Sequence, residues 1–179
     1  TKQVASHLGG TRNGVVVHWP KGLPGQTGIR SQFHHLIDIA PTILEAAGLP
    51  QPKTVNGIVQ RPMDGVSMLY ALKDPKAPDR RTTQYFEMFG NRAIYHDGWI
   101  AATRHSIPWV MAGLPPLEND VWELYDLRTD FSQSRNLAAS NPAKLAELKA
   151  VFEAEATRNH VFPIDDRRSE RFNPAIAGR

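Results

Sequence analysis

The chain has 179 residues, of which 41% are hydrophobic and 22% charged, as in an ordinary globular protein and unlike a disordered one. Its net charge is only +3 and its 21 lysines and arginines are spread along most of the chain, so we expect no nucleic-acid partner. No apolar run reaches the roughly 18 residues of a transmembrane helix, and the absence of cysteine excludes disulfides and cysteine-ligated zinc.

The first twenty residues combine a glycine pair with polar side chains. Lys2 and His7 precede Gly9-Gly10, Arg12 follows, and a β-branched apolar run occupies residues 15–19. Such a run predicts a strand buried on both faces, as in a parallel sheet. The glycine pair allows the backbone to approach a ligand closely. The polar groups beside it are therefore candidates for an anion site.

A glycine- and proline-rich loop is predicted at residues 21–28, followed by a short extended segment at 31–37. Asp38 then stands at the N-cap position of a short buried helix that should run to Ala47 and end at Gly48. The next stretch, 49–65, reads as an extended connection because it carries three prolines and two glycines.

A brief helix is predicted at residues 66–72, and the charged, proline-containing segment 73–81 is the best internal boundary. Beyond it the composition becomes aromatic and β-branched. We predict strands at 83–89, 92–95, 99–103 and 122–127. The dipeptides Gly90-Asn91 and Asp97-Gly98 are suited to tight hairpins between the first three.

A long helix is predicted from Asn141, which can cap it, to about Arg158. Its apolar stripe is suited to cover one face of the antiparallel sheet, and it consists of Leu145, Leu148, Phe152 and Ala156. The residues after it, 159–179, form a polar tail with little to bury.

The expected fold class is therefore α/β, in two parts. Residues 1–72 should supply the last strand and helices of a larger α/β sheet, and 73–81 a linker. Residues 82–158 should form a small four-stranded antiparallel sheet packed on the C-terminal helix, before the tail at 159–179. Because the strand at 15–19 needs neighbours that the chain lacks, we expect either a homo-oligomer or pairing with a missing N-terminal half.

Three spaced motifs carry a family resemblance. The first runs from Lys2 through Gly-Gly-x-Arg to Trp-Pro, and the second is Asp-x-x-Pro-Thr within residues 33–44. The third is Trp-Glu-Leu-Tyr-Asp-Leu at 122–127 followed by Asn-Leu-Ala at 136–138. In this order they resemble the C-terminal portion of a type I sulfatase, of the arylsulfatase family in the alkaline-phosphatase superfamily.

The resemblance implies a hydrolase of small sulfate esters in which Lys2 is the catalytic lysine. Attack at sulfur builds negative charge on the departing bridging oxygen, and an ammonium held there stabilises the transition state more than the ground state. His7 and Arg12 are the expected substrate-binding residues, the first as a donor or acid and the second as an anion clamp. The spacer between Lys2 and the glycines is about one residue longer than the family pattern, and Leu8 stands where an acidic residue is usual.

The resemblance also implies a divalent cation, calcium in most of the family, and a formylglycine made from a cysteine or serine in a Cys/Ser-x-Pro-x-Arg segment. Neither that segment nor the metal ligands match this chain, which starts at Thr1 without a methionine. We therefore expect both cofactors in an N-terminal part, none bound by this chain, and no turnover by the chain alone. The sequence leaves a periplasmic and a cytoplasmic location open.

Two other functions fit the sequence. A phosphonate monoester or phosphodiester hydrolase of the same superfamily shares the Asp-x-x-Pro-Thr region. A noncatalytic interaction module is the alternative from another class, in which the first motif is vestigial. In that case Lys2 is a solvated lysine, His7 a hydrogen-bonded loop residue, and Arg12 the partner of a local carboxylate.

The remaining candidates have simpler explanations. His34 and His35 precede Asp38, but adjacent side chains on an extended segment point to opposite faces, which disfavours a shared metal. His96 and Trp99 flank a hairpin turn and, less simply, could line a substrate pocket. The loop carrying Trp109, Met111 and Leu114 is a candidate lid over an aryl group.

Overall fold

The computed structural model describes residues 6–107, 109–110, 113–167 and 175. The chain divides into two compact units. The first, called the sheet unit, joins Thr1–Gly14 to Thr83–Arg179, and the second, called the middle unit, is Val15–Thr82. No helix among the described residues is long and apolar enough to cross a membrane.

The elements follow in chain order as α1 (Leu8–Thr11), α2 (Ile39–Ala46), β1 (Thr54–Val55), β2 (Ile58–Val59), α3 (Leu69–Lys73), β3 (Thr83–Met88), β4 (Asn91–His96), β5 (Trp99–Thr103), β6 (Trp122–Asp126) and α4 (Pro142–Arg158). Strands β3 to β6 form one antiparallel sheet in sequential order. The predicted fold class, with its four-stranded antiparallel sheet and C-terminal helix, is confirmed.

Two tight hairpins set the register of the sheet. Asp97 and Gly98 have φ angles of 46° and 81°, and Phe89 and Gly90 have 52° and 81°. Two consecutive positive φ angles are typical of the type I′ turn, whose twist matches that of the strands. The turn between β4 and β5 is the predicted Asp97-Gly98 dipeptide. The turn between β3 and β4 lies one residue earlier than predicted, because Asn91 already pairs with Met88.

The sheet buries apolar side chains on both faces. On one face α4 packs its predicted stripe against the strands, in a cluster of Ile94, Ala101, Leu124, Leu148, Phe152 and Ala156. Burying a side chain such as Phe152 contributes about 1.5–3 kcal/mol. The other face buries Ala93, Ile100, Ala102 and Tyr125, with Leu8 of α1 packed against them.

The first part of the tail is partly buried, contrary to the prediction of a polar tail with little to bury. Val161 and Ile164 pack against the α4 cluster. Asp166 accepts a hydrogen bond from His105 Nε2 at 3.0 Å, and His105 Nδ1 lies 3.0 Å from Asp120. The His105 side chain is fully buried between these carboxylates, so this stretch of tail is part of the sheet unit.

The middle unit departs from prediction at its start. Residues 12–19 have no regular secondary structure, and Val16 is 95% exposed. A strand needs a neighbour to satisfy its backbone groups, and among the described residues none pairs with this segment. The predicted strand therefore does not form.

Helix α2 ends before Gly48, whose φ of 67° stops it as predicted. It is not the buried helix that was expected, since Ile43 is 61% exposed and only Thr42 is buried. Helix α3 begins at Leu69, three residues later than predicted. The connection before it contains the hairpin of β1 and β2, which turns at residues 56–57.

Candidate functional site

The segment from Ser6 to Arg12 lies in the sheet unit and carries the described part of the predicted anion site. Lys2 lies outside the described residues. Gly10 and Thr11 donate backbone hydrogen bonds to the carbonyl of His7 at 2.9 and 3.1 Å, and Arg12 donates to Leu8 at 2.8 Å. The glycine pair thus forms a single helical turn, α1, and does not wrap an open loop around a ligand.

His7 is buried at the start of this turn, with 2% of its surface exposed. Its Nε2 lies 2.7 Å from Glu123 Oε2, and its Nδ1 lies 3.1 Å from the hydroxyl of Ser6, which is fully buried. Since a carboxylate can only accept, Nε2 carries the proton and donates to Glu123. Both ring nitrogens therefore face protein groups, which favours a role in holding the segment over direct contact with a substrate.

Glu123 is fixed in turn by its own strand. The hydroxyl of Tyr125 donates to Glu123 Oε2 at 2.8 Å, so one carboxylate oxygen receives both Tyr125 and His7. The two side chains lie on the same face of β6 because residues two apart in a strand point the same way. Trp122 and Leu124, which alternate with them along the strand, pack in the α4 cluster on the opposite face.

The loop after β6 provides a second contact with the segment. Gln133 Oε1 accepts a hydrogen bond from the backbone N–H of Leu8 at 2.8 Å. Gln133 is 4% exposed and has a φ of 56°, a left-handed conformation that side-chain-bearing residues adopt only at a cost. The surrounding loop must therefore hold it in place.

Asp130 shapes that loop. Its two carboxylate oxygens accept from the backbone N–H groups of Ser134 and Arg135 at 3.0 and 2.8 Å, and from the hydroxyls of Ser132 and Ser134. The hydrogen bonds from Ser134 and then Arg135 lower the pKa of Asp130 to about 2. A carboxylate that stays charged at neutral pH thus organises the residues around Gln133.

Arg12 is exposed, and its guanidinium lies over the ring of Phe131 at 5.4 Å from the centroid. Among the described residues it forms no ion pair with a carboxylate, in contrast to the local pairing considered from sequence. A stacked guanidinium keeps its hydrogen-bonding edge available for an anion. Its position therefore suits the predicted anion clamp.

The Asn-Leu-Ala stretch braces the strand that carries Glu123. Asn136 Oδ1 accepts from the backbone N–H of Leu124 at 3.1 Å, and the N–H of Leu137 donates to the carbonyl of Leu124 at 2.8 Å. These bonds satisfy backbone groups on the edge of β6. The two parts of the third motif are thus joined directly.

The second motif centres on a buried ion pair in the middle unit. Asp38 is fully buried, and Arg81 Nε donates to its Oδ2 at 2.9 Å. Asp38 also accepts from the backbone N–H groups of His35 and Val66. It stands at the N-cap position of α2 but its side chain makes no capping bond to that helix, so this part of the helix-start prediction is wrong.

Neighbouring groups explain the histidines before Asp38. Burial lowers the pKa of His34 and of His35 below the ordinary imidazole value, which favours neutral rings. The ring of His34 packs edge-on against Tyr70. Within the parts of the chain that the structure describes, no group of three histidine or acidic side chains is placed to hold a metal ion.

The remaining sequence candidates occupy ordinary positions. His96 Nδ1 lies 2.8 Å from the hydroxyl of Thr83 on β3, and His96 pairs with Trp99 across the predicted hairpin turn. Trp99 lies beneath Arg128 and Lys144. Trp109 is 77% exposed, while Met111 in the same predicted lid lies outside the described residues.

Sequence reasoning missed Glu123, Tyr125 and Gln133 as site residues. Glu123 and Tyr125 were read only as part of a strand motif. Their alternation with Trp122 and Leu124 shows a polar face and an apolar face of β6, and that pattern was the available signal. Nothing local marks Gln133, because its contact spans 125 positions of sequence.

Comparison with known proteins gives one family. A family model described as N-sulphoglucosamine sulphohydrolase, C-terminal, matches residues 7–159. The chain is 27% identical over 140 residues to a sulfatase of Formosa agariphila, covering 76% of this chain and 24% of that protein. It is 29% identical over 156 residues to an uncharacterized sulfatase of Schizosaccharomyces pombe, covering 82% and 26%. It is also 27% identical to the uncharacterized sulfatase YdeN of Escherichia coli, covering 94% and 33%.

Solved structures share the fold. Ps i-CgsB matches with a TM-score of 0.56 and 22% identity, over 86% of this chain and 30% of that one. A structure from work on glycosaminoglycan metabolism by Bacteroides thetaiotaomicron matches with a TM-score of 0.52 and 22% identity, over 72% and 26%. The chain thus spans about a quarter to a third of the length of the proteins it matches.

Proposed function

Because the chain belongs to the N-sulphoglucosamine sulphohydrolase C-terminal family, we propose that it is the C-terminal part of an enzyme that hydrolyses sulfate esters. In this proposal residues 1–72 join the catalytic α/β domain of the intact enzyme and residues 82–158 form its small C-terminal subdomain. The missing N-terminal part is the partner that completes the active site.

One observation supports this proposal above the others. Glu123, from the third sulfatase-like motif, hydrogen-bonds His7, which lies between Lys2 and Arg12 in the first motif, across 116 positions of sequence. The two motifs are thus joined by a contact in which the His7 side chain is 2% and the Glu123 side chain 29% exposed, as expected where the placement of the first motif matters. The contact therefore argues against the interaction module, for which the first motif is dispensable.

In the proposed reaction Lys2 is the catalytic residue of this chain. The bond between sulfur and the bridging oxygen breaks, and the departing oxygen takes the electron pair. The Lys2 ammonium stabilises that oxygen and Arg12 holds the sulfate oxygens. His7 orients the segment between them, as its buried position suggests.

The divalent cation and the formylglycine belong, in this proposal, to the N-terminal part. The described residues of this chain do not fit a metal site. The formylglycine would supply the attacking oxygen, and the chain's own residues contribute charge stabilisation and substrate orientation.

The test compares substrates with the intact enzyme. Hydrolysis of 4-nitrophenyl sulfate should exceed that of a 4-nitrophenyl phosphonate monoester in kcat/KM, whereas the reverse order would favour the phosphonate hydrolase. The 179-residue chain alone should hydrolyse neither. Turnover of the sulfate ester by this chain alone would contradict the division of the active site between two parts of the enzyme.

A further inference from the structure

His105 lies between two carboxylates of the sheet unit, one on each side of its ring. Its Nδ1 is 3.0 Å from both oxygens of Asp120, and its Nε2 is 3.0 Å from Oδ2 of Asp166. The His105 side chain is fully buried. Because an ionised carboxylate can only accept, each ring nitrogen must carry a proton for both hydrogen bonds to form. The arrangement therefore requires the doubly protonated, positively charged ring.

The backbone around His105 holds the ring in this position. Asn91 Oδ1 accepts hydrogen bonds from the backbone N–H groups of His105 and Ser106 at 3.1 and 3.3 Å. A Cβ atom added at Gly90 would lie 2.6 Å from a ring carbon of His105, so the turn between β3 and β4 packs directly against the ring. The ring thus has little room to turn away from either carboxylate.

The charge balance of this cluster also depends on the proton. Arg92 forms an ion pair with Asp120, whose side chain is 3% exposed, and so compensates one of the two carboxylates. Among the residues that the structure describes, His105 is the cation paired with Asp166. When the ring loses a proton, one carboxylate faces a lone pair in place of a donor. Asp166 is 35% exposed and can turn to water, whereas Asp120 keeps Arg92, so the contact with Asp166 is the one that breaks.

Further charged groups lie on the elements around this cluster. They are Glu87, Arg104, Glu118, Lys149, Glu153, Asp165 and Arg167. Asp165 is bound to Arg167 at 2.8 Å, and Glu87 accepts from the backbone N–H of Gly90 at 2.9 Å. Arg104, Glu118, Lys149 and Glu153 are exposed, so solvent screens their charges. The direct partners of the His105 ring are Asp120 and Asp166, and its proton therefore has the largest effect on the contact with Asp166.

The residues just before Asp166 cover a pocket beside α4. We call residues 162–166 the strap. The pocket has a volume of about 320 Å³ and is lined by Arg92, Trp122 and Phe152 together with Phe162 and Ile164 of the strap. Phe162 is 46% exposed, and Ile164 is only partly buried against the α4 cluster. The strap is thus one wall of the pocket, and its apolar contacts are incomplete without the hydrogen bond at Asp166.

We propose that His105 and Asp166 form a protonation-dependent latch that holds the strap against this pocket. The latch is closed while the ring carries both protons. When the ring loses a proton, Asp166 turns to solvent, the strap leaves and the pocket opens. The docked strap binds one proton more than the released strap, so docking strengthens as pH falls and weakens as pH rises. The latch does not depend on the proposed sulfatase chemistry.

The experiment follows the δ1 methyl resonance of Ile164 by NMR of the intact enzyme labelled at isoleucine, between about pH 5 and 8, the range in which histidine side chains change charge. Ile164→Val assigns the resonance. The ratio of docked to released strap, read from the position or intensity of the resonance, should fall about 10- to 100-fold as pH rises, the effect of losing one hydrogen bond between charged groups. Ile94, fully buried in the same cluster, should keep its methyl intensity and so show that the core stays folded.

Two variants remove the pH response in different ways. Asp166→Asn gives the ring a partner in either state, because the amide oxygen accepts from a protonated Nε2 and the amide nitrogen donates to an unprotonated one. Its strap should stay docked across the pH range. His105→Gln removes the titrating group, so the Ile164 resonance should not change with pH. His160→Gln replaces an exposed histidine of the same tail; it is the matched control and should respond to pH as the wild type does.

A wild-type Ile164 resonance that does not change over this pH range refutes the latch. A pH response of the same size in His105→Gln also refutes it, since another group would then be responsible. If His105→Gln does not fold, as loss of the Ile94 signal would show, an undiminished pH response in Asp166→Asn refutes the latch instead. None of these measurements uses hydrolysis of a sulfate ester, so the latch and the proposed function are tested separately.

Discussion

Replacing Arg81 by leucine should be among the most destabilising single changes in the middle unit. The Arg81 side chain is 8% exposed and that of Asp38 is fully buried. Arg81 donates two hydrogen bonds to one oxygen and one to the other oxygen of Asp38, and a further one to the carbonyl of Asp64 at 3.0 Å. The guanidinium thus neutralises a carboxylate that water cannot reach.

The expected magnitude follows from what Asp38 retains. Without Arg81 it keeps the backbone N–H groups of His35 and Val66, at 2.8 and 2.7 Å. His34 Nδ1 lies 3.9 Å from its Oδ2, too far for a normal hydrogen bond, and burial lowers the pKa of that ring, which favours the neutral form. Breaking a buried ion pair on one side costs about 3–5 kcal/mol, because the remaining charge is left uncompensated. We therefore expect Arg81→Leu to lower the free energy of unfolding of this unit by about that amount.

Arg61→Leu is the matched control in the same unit. Arg61 pairs with Asp64 at 3.5 Å, but these side chains are 64% and 49% exposed. An exposed pair of this kind contributes about 0–1 kcal/mol. Hydrogen exchange at the amides of α2 and α3, followed across a urea series, reads the stability of this unit separately from the sheet unit. Equal losses of unfolding free energy for the two variants would show that burial does not set the strength of the Asp38–Arg81 pair.

The stabilisation provided by the Asp38–Arg81 pair should decrease at acid pH. Burial raises the pKa of Asp38, but the hydrogen bonds from Arg81, His35 and Val66 outweigh it and hold the pKa below its ordinary value of 3.8. A lowered carboxyl pKa gives stability that is complete above the unfolded value and lost as pH falls through the folded one. The advantage of the wild type over Arg81→Leu should therefore shrink at acid pH.

Three further outcomes are expected. Because burial holds the pKa values of His34 and His35 below 6.5, the unfolded chain takes up protons first as pH falls, so the middle unit should lose stability below about pH 6.5. Opening free energies, obtained from exchange rates corrected for the intrinsic pH dependence of amide exchange, that stay flat between about pH 8 and 5 would contradict this. Phe152→Ala removes from the core a ring that is 3% exposed. It should lower the free energy of unfolding, measured in urea, by about 3–5 kcal/mol, and a loss under about 1 kcal/mol would show that the cluster is loosely packed. Gly90→Ala places a methyl group on a residue with a φ of 81°, at 2.6 Å from a ring carbon of His105. This change should lower the free energy of unfolding by at least about 1–2 kcal/mol. An unchanged midpoint of urea unfolding would refute the turn geometry.

Local patterns predicted the sheet unit well. The Asp97-Gly98 turn and the apolar stripe of α4 depend on residues a few positions apart, and both are confirmed. The hairpin at Asn56-Gly57 was missed although the same kind of dipeptide marks it, because the two-residue strands beside it are too short to show a pattern. Patterns of this kind depend only on neighbouring residues, so they can be recognised from the sequence alone.

Long-range features were not predictable in the same way. The contact between His7 and Glu123 joins residues that no local pattern connects. The buried state of Asp38 likewise depends on Arg81, 43 positions away. The run at residues 15–19 has strand-forming residues, yet a strand also needs a hydrogen-bonding neighbour, and propensity does not provide one.

The most direct test of the account is the rate of 4-nitrophenyl sulfate hydrolysis by the intact enzyme with Lys2→Ala, measured beside the unmodified enzyme with calcium supplied. If Lys2 stabilises the departing oxygen, kcat should fall about 100-fold or more. Lys2→Arg keeps the charge but not the compact ammonium, so its kcat should lie between those of the unmodified enzyme and Lys2→Ala. An unchanged kcat for Lys2→Ala would contradict the assignment of Lys2 as the catalytic residue of this chain.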